Sequence, residues 1–277
     1  MTTAELRGRR LPAVDPALLP RPAAAVLRLA AVAVIYALYA YARNQHGLAS
    51  TAAWEAAQRH ADAVLALQQA LHLPHERELQ QLVLGSEWLV RASGAYYGSA
   101  HFLGTAGVLL LLALRRPGLL TRLGSTLGLS TFVAVGVFAL YPVAPPRLMP
   151  PGQQTVDTLA SVGGIWSYDH GVLERISDPF AAMPSLHLAW ATWCALVLWV
   201  LARDAGRPRA WRAVAVAHPV LTLVVVLVTG NHWYLDAVAG VLLVLAVAAL
   251  QAVVQARAVQ ARVALASTRS PSYSTAA

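Results

Sequence analysis

The chain has 277 residues, of which 57% are hydrophobic and only 12% are charged, whereas a soluble domain carries about 25% charged residues. Its net charge of +8 comes from arginine alone, because the sequence contains no lysine. The arginines lie between hydrophobic segments and form no aromatic–basic stripe, so an ordinary soluble protein and a nucleic-acid-binding protein are both excluded. We predict an all-α, polytopic membrane protein.

Six hydrophobic segments are long enough to cross a bilayer, since about 20 helical residues span its hydrocarbon core. They are predicted at residues 23–42, 93–114, 119–141, 186–202, 210–229 and 233–254. The first segment has a basic lead and an Ala-Tyr-Ala triplet at 40–42, which resembles a signal-peptide cleavage site. Because its apolar stretch exceeds the roughly 7–15 residues of a signal core, we interpret it as an uncleaved anchor.

The predicted domain organisation is simple. One six-helix membrane domain occupies 23–256, with its catalytic core at about 93–256, between an N-terminal tail at 1–22 and a loose C-terminal tail at 257–277. Arginines collect on one side of the predicted segments, at 7–21, 115–122, 203–212 and 257–269. The positive-inside rule assigns that side and both termini to the cytoplasm. The long loops at 43–92 and 142–185 then lie outside a cell membrane.

The first long loop contains a helical pattern. Apolar residues recur there at helical spacing: Trp54, Ala57, Ala61, Val64, Leu65 and Leu71. Charged residues occupy the opposite face: Glu55, Arg59 and Asp62. The pattern predicts an amphipathic helix, which either lies at the membrane interface or packs over the helix bundle.

Two histidines begin apolar segments on the same predicted side of the membrane. His187 follows Met183-Pro184-Ser185-Leu186 at the outer end of the fourth segment, and His232 follows Asn231 at the outer end of the sixth. Arg147 lies just beyond the outer end of the third segment, in Pro145-Pro146-Arg147. We therefore expect His187, His232 and Arg147 to meet at the outer membrane face.

These side chains suit phosphoryl transfer. The starts of two helices offer backbone N–H groups and a positive dipole end, and with Arg147 and the Ser185 hydroxyl they would hold a phosphate. Asp236 lies four residues after His232, where a carboxylate would fix the tautomer of the imidazole and stabilise its cation. His232 is then a candidate nucleophile that forms a phospho-histidine, and His187 a candidate general acid and base.

Other interpretations of these residues remain open. A histidine in a span is often a packing residue, and the same two histidines are also a candidate pair of haem ligands. A transporter or a non-catalytic scaffold is the non-enzyme alternative, although transporters place polar groups near the bilayer midplane. His72, His75, Glu76 and Glu78 have side chains that bind metals. We interpret them as a solvated polar loop and predict no metal site.

The residues around both histidines resemble the type 2 phosphatidic acid phosphatase (PAP2) superfamily, and within it the branch of inositol phosphorylceramide synthases. The resemblance runs from about 60 to 250 and rests on Pro145-Pro146-Arg147, Pro184-Ser185-Leu186-His187 and Asn231-His232-Trp233-Tyr234-Leu235-Asp236. It implies a six-helix bundle that needs no metal or cofactor. It also implies that His232 is the nucleophile, Asp236 its partner and His187 the general acid, while Arg147 and Ser185 hold the phosphate.

The chain departs from the wider superfamily pattern at three points. It has no lysine for the first motif, Val225 and Val226 stand where Ser-Arg is usual, and Leu186 stands where Gly is usual. The branch with Leu shares these departures, which leave fewer cations for the phosphate. Four residues are candidates to compensate in a substrate pocket: Tyr96, Tyr97, His101 and Arg175. Packing at the headgroup level is the alternative for the tyrosines.

The sequence thus predicts an integral membrane enzyme that cleaves or transfers the phosphate ester of a phospholipid or lipid phosphate drawn from the bilayer. Two acceptors remain open. A polyol such as inositol would make the protein a headgroup phosphotransferase, which the branch resemblance favours. Water would make it a lipid phosphate phosphatase.

Overall fold

The computed structural model describes residues 51–162 and 179–269, with side chains described up to residue 261. Within these ranges the chain is helical and has no β-strand. The α-helices are α1 (Thr51–Ala70), α2 (Glu76–Leu84), α3 (Glu87–Arg115), α4 (Pro117–Leu140), α5 (Thr158–Val162), α6 (Leu186–Asp204), α7 (Arg209–Val228) and α8 (Tyr234–Arg269). A 3₁₀ helix, Pro146–Leu148, follows α4. The predicted first segment at 23–42 lies outside the described residues, and so does Arg175.

Among the described residues, five helices are long and apolar enough to cross a membrane: α3, α4, α6, α7 and the Tyr234–Ala261 part of α8. They coincide with the second to sixth predicted segments, which are therefore confirmed as helices. Helix α3 begins before the predicted position 93, because the Ser86 side chain caps it by accepting a hydrogen bond from the Leu89 N–H. Large apolar side chains such as Phe132 and Leu140 are exposed on the spans, as lipid contact requires.

Helix α6 lies at the centre of the bundle and contacts α3, α4, α7 and α8. Its Trp193 is fully buried and donates a hydrogen bond from Nε1 to the carbonyl oxygen of Leu123 on α4, at 2.7 Å. The next residue, Cys194, has its Sγ 3.7 Å from the Thr105 hydroxyl of α3. Because α6 contacts each of the other four described spans, the position of its first turn is fixed relative to all four.

Helix α1 packs against the bundle through one face. Ala57, Ala61 and Val64 are buried in a cluster that also contains Phe180 and Trp233. The predicted apolar face was partly wrong, since Trp54 is 43% exposed and Leu71 is 55% exposed. Leu71 follows the last residue of α1, whereas the Trp54 ring, near the start of the helix, still meets the Phe180 ring edge to face with centroids 5.4 Å apart. A position of α1 at the membrane interface stays a prediction.

The solvated polar loop predicted at 72–78 is wrong from position 76 onward, because Glu76 and Glu78 both belong to α2. Glu76 begins α2 and is completely buried. His75 precedes it and caps α2 by accepting a hydrogen bond from the Arg77 N–H at 3.1 Å. In the described parts of the chain, these residues and all other His, Cys, Asp and Glu side chains form no group of three or more that is arranged to hold a metal ion.

Candidate active site

The structure places His187 and His232 side by side. Their ring centroids are 5.5 Å apart and the rings meet edge to face. His187 is the second residue of α6, whose N-cap is Ser185, and His232 lies two residues before α8. Two residues 45 positions apart in the sequence thus share one site, as the order of the spans predicts.

Close packing between α6 and α8 brings the two histidines together. The Ser185 N–H donates a hydrogen bond to the carbonyl oxygen of Asp236 at 2.9 Å, which links the start of α6 to the first turn of α8. At Gly240, one turn further along α8, an added Cβ would overlap the carbonyl oxygen of Ser185. Glycine is therefore required at position 240 for the two helices to approach this closely.

Two acceptors orient the imidazole of His232. Its Nδ1 lies 2.9 Å from the carbonyl oxygen of Ala182 and 3.4 Å from Oδ2 of Asp236. A carbonyl oxygen can only accept, so Nδ1 carries the proton and Nε2 is left with the lone pair. His232 is 4% exposed and Asp236 is completely buried. This burial keeps water from competing for the hydrogen bonds of the pair.

Asp236 reaches His232 in a different way from the one expected. The sequence spacing places both residues on one helical face, but His232 precedes the helix. Trp233 is the N-cap of α8, and Oδ2 of Asp236 reaches back to accept its N–H at 2.8 Å, as the third residue of a capping box does. The same oxygen lies beside Nδ1 of His232. Asp236 therefore both caps α8 and places a carboxylate oxygen beside the imidazole of His232.

Tyr97 and His101, on adjacent turns of α3, lie beside the two histidines. The Tyr97 ring stacks on the His187 ring with centroids 4.2 Å apart and lies 6.5 Å from the His232 ring. The His101 ring lies 4.1 Å from that of His187. Nε2 of His187 is buried and has no hydrogen-bond partner within the described parts of the chain. A buried polar atom of this kind is suited to bind a substrate atom.

Tyr96 does not join the site. Its hydroxyl lies 2.7 Å from Nδ1 of His218 and 3.0 Å from the Thr222 hydroxyl, both on α7. Successive residues of an α-helix point about 100° apart, so Tyr97 facing the histidines turns Tyr96 toward α7. The prediction that Tyr96 belongs to the substrate pocket is not supported by this placement. The same prediction for Arg175 concerns a residue outside the described ranges.

Arg147 lies against the segment that precedes His232. Its Nε donates a hydrogen bond to Oδ1 of Asn231 at 2.8 Å, and its Nη1 lies 3.5 Å from Oδ2 of Asp157. Its backbone N–H also donates to the carbonyl oxygen of Gly230 at 3.0 Å. Asp157 was missed by the sequence reasoning. It lies ten residues after Arg147 in the same loop, and only the charge pairing of these two residues could have indicated it.

The expected phosphate site at two helix starts needs a correction for α8. The N–H groups of Trp233, Tyr234 and Leu235 are bound by Asp236, Glu76 and Gln68 respectively. These side chains take the donors that the sequence argument assigned to the phosphate. At α6, the Ser185 hydroxyl oxygen is fully buried and accepts from the Leu188 N–H at 3.4 Å, and its hydroxyl proton has no acceptor among the described residues.

Comparison with known families gives one match. A family model described as the PAP2 superfamily matches residues 62–250. The chain belongs to the PAP2 superfamily. Members of the superfamily are phosphatases and phosphotransferases, so this PAP2 protein is an enzyme of that class carried by an integral membrane bundle. No curated protein and no solved structure matches the chain significantly.

Proposed function

We propose that this PAP2 protein transfers or cleaves a lipid phosphate ester through a phospho-histidine on His232. The orientation of the His232 imidazole supports this proposal most directly. Its Nδ1 is hydrogen-bonded to the carbonyl oxygen of Ala182 and lies beside the carboxylate of Asp236. Nε2 therefore remains the nucleophilic nitrogen. His187 lies beside it with a buried, unpartnered Nε2. Nucleophile and proton donor are thus adjacent without being bonded to each other.

In the first half-reaction, the lone pair on Nε2 of His232 forms a bond to phosphorus. The bond from phosphorus to the lipid oxygen breaks, and protonated His187 gives its proton to that oxygen, so that a lipid alcohol leaves. The imidazole of His232 gains positive charge as the P–N bond forms. The carboxylate of Asp236, 3.4 Å from Nδ1, stabilises that charge.

In the second half-reaction, His187 is neutral and accepts the proton of an acceptor hydroxyl. The acceptor oxygen bonds to phosphorus, the P–N bond breaks, and its electron pair returns to Nε2 of His232. Both histidines are then in their starting protonation states. The reaction needs no metal ion or cofactor in this scheme, because the imidazoles supply the proton transfers and the nucleophile.

The transferred phosphoryl group needs donors on its remaining oxygens. We assign these to Arg147, to the Ser185 hydroxyl and to the backbone N–H groups of Leu186 and His187, which as the first two helical residues of α6 have no carbonyl one turn earlier to bind. Tyr97 and His101 form the opposite wall. The capped start of α8 takes no part.

We favour an alcohol acceptor, which makes the protein a headgroup phosphotransferase of the inositol phosphorylceramide synthase type with a polyol such as inositol as its second substrate. Support comes from Leu186 within Pro184-Ser185-Leu186-His187, the sequence that resembles this branch. Water in the same position gives the alternative, a lipid phosphate phosphatase. We further propose that both termini are cytoplasmic and that the site faces the extracytoplasmic side, because the arginines flank the opposite ends of the spans.

Purified protein assayed with a panel of lipid phosphates and phospholipids tests these assignments. Each substrate is supplied in mixed micelles, with and without inositol or another polyol. A phosphorylated polyol that forms together with the lipid alcohol supports the transferase, and release of inorganic phosphate without the polyol supports the phosphatase. His187→Ala and His232→Ala should each lower the rate by at least about 100-fold. Undiminished turnover by His232→Ala would remove the phospho-histidine from the mechanism.

A further inference from the structure

Two buried polar side chains from outside the membrane spans bind the first turn of α8. Glu76, at the start of α2, accepts hydrogen bonds at Oε1 from Nε2 of Gln68 at 2.8 Å and from the Tyr234 N–H at 3.1 Å. Gln68, near the end of α1, accepts at Oε1 from the Leu235 N–H at 3.1 Å. Glu76 has no exposed surface and Gln68 almost none. The pair closes a hydrogen-bonded ring with two consecutive N–H groups of α8.

This arrangement is a costly way to cap the start of a helix. Burial raises the pKa of the Glu76 carboxyl, because a charged carboxylate loses its hydration there. The unpaired N–H groups at a helix start are normally satisfied by water or by one local Ser, Thr, Asp or Asn. Here the acceptors come from residues more than 150 positions away in the sequence. The ring therefore does more than satisfy two donors, since it fixes the first turn of α8 against α1 and α2.

That first turn contains the groups that orient the nucleophile. Tyr234 and Leu235 lie between His232 and Asp236 in the sequence. Their N–H groups are bound by the ring, while the Trp233 N–H and Nδ1 of His232 share Oδ2 of Asp236. If the turn rotates, Oδ2 of Asp236 moves away from His232. The direction of Nε2 toward a phosphorus atom then changes with it.

We propose that Glu76 and Gln68 are positioning residues that hold His232 in line with the substrate phosphorus through the first turn of α8. The proposal rests on the proposed function of His232 as the nucleophile. Neither residue touches the substrate. Their effect should therefore appear in the rate of the chemical step and leave substrate binding unchanged.

The test compares four variants of the full-length protein, with phosphatidic acid in mixed micelles as the probe and product formation as the readout. Glu76→Ala removes both bonds of Oε1, and Gln68→Leu removes the acceptor for Leu235 at similar volume. Glu76→Gln keeps an oxygen that accepts from Gln68 and from Tyr234. Glu78→Ala is the matched control, because this exposed glutamate lies on the same helix.

We expect Glu76→Ala and Gln68→Leu to lower kcat by about 10- to 100-fold, the range for residues that orient an active group, with KM within about 3-fold of wild type. Glu76→Gln and Glu78→Ala should keep kcat within about 3-fold. The trapped phospho-enzyme should form more slowly in the two impaired variants. A residue that only supported folding would instead lower the amount of active protein, without lowering kcat per active site.

Three results would overturn the proposal. The first is an unchanged kcat per active site in folded Glu76→Ala or Gln68→Leu. The second is a rise in KM that accounts for the whole loss, and the third is a Glu76→Gln variant as impaired as Glu76→Ala. If Glu76→Ala does not fold, Gln68→Leu and Glu76→Gln decide the matter. Failure of the proposed function is distinguishable, because it would appear as turnover by His232→Ala.

Discussion

Replacing Asp236 with asparagine removes the negative charge beside the nucleophile and keeps the size of the side chain. Nδ1 of His232 lies 3.4 Å from Oδ2 of Asp236, and the carboxylate is completely buried. At an effective dielectric constant of about 20, a full positive charge on the imidazole would be stabilised by about 5 kcal/mol at this separation. A transition state midway along P–N bond formation would carry roughly half of that charge. Asp236→Asn should then cost about 2.5 kcal/mol in the barrier, or about 70-fold in rate.

The tautomer of His232 should survive this substitution. The carbonyl oxygen of Ala182 accepts from Nδ1 at 2.9 Å independently of Asp236, so Nε2 keeps its lone pair. The remaining asparagine oxygen can serve either Nδ1 or the Trp233 N–H, and the bond left unmade adds to the electrostatic cost. We therefore expect a loss of about 100-fold, below the roughly 10⁴-fold loss known where a carboxylate alone sets the tautomer.

Single-turnover kinetics measure the effect directly, as the rate at which phospho-enzyme appears after mixing protein with a lipid phosphate. Asp204→Asn is the matched control, because Asp204 ends α6 at the opposite end of the bundle and lies near Arg203. That variant should react at the wild-type rate. A folded Asp236→Asn protein whose rate stays within about 3-fold of wild type would refute the electrostatic role given to this carboxylate.

Gly240→Ala should lower both Tm and kcat, because its Cβ would overlap the Ser185 carbonyl oxygen and separate α6 from α8; a thermal melt and a rate assay measure the two losses. Tyr96→Phe should leave kcat within about 3-fold of wild type, since the hydroxyl faces α7. Burial raises the pKa of the Glu76 carboxyl above its usual 4.5. Above pH 4.5 the folded protein therefore keeps a proton that the unfolded chain releases, so the free energy of unfolding of the wild type falls as the pH rises. The Tm of Glu76→Gln relative to wild type should therefore increase from pH 5 to pH 8. A chelator should leave the rate unchanged, and strong inhibition reversed by a divalent cation would contradict the two-histidine mechanism.

The hydrophobic lengths of the segments determined five of the helices, because a membrane span must bind all its backbone groups internally and needs about 20 apolar residues. The order of those segments also determined that His187 and His232 lie at the same end of the bundle, near the starts of α6 and α8. These features depend on residues close to one another in the chain.

Side-chain direction and burial were decided only by the tertiary structure. Tyr96 and Tyr97 are neighbours of the same type, and the packing of α3 between α6 and α7 alone directs one to His187 and the other to His218. Glu76 has the local sequence of a solvated loop, yet it is fully buried because Tyr234, 158 residues later, brings a backbone donor to it. Composition predicts exposure from a residue's own polarity, whereas burial depends on a partner that the local sequence does not contain.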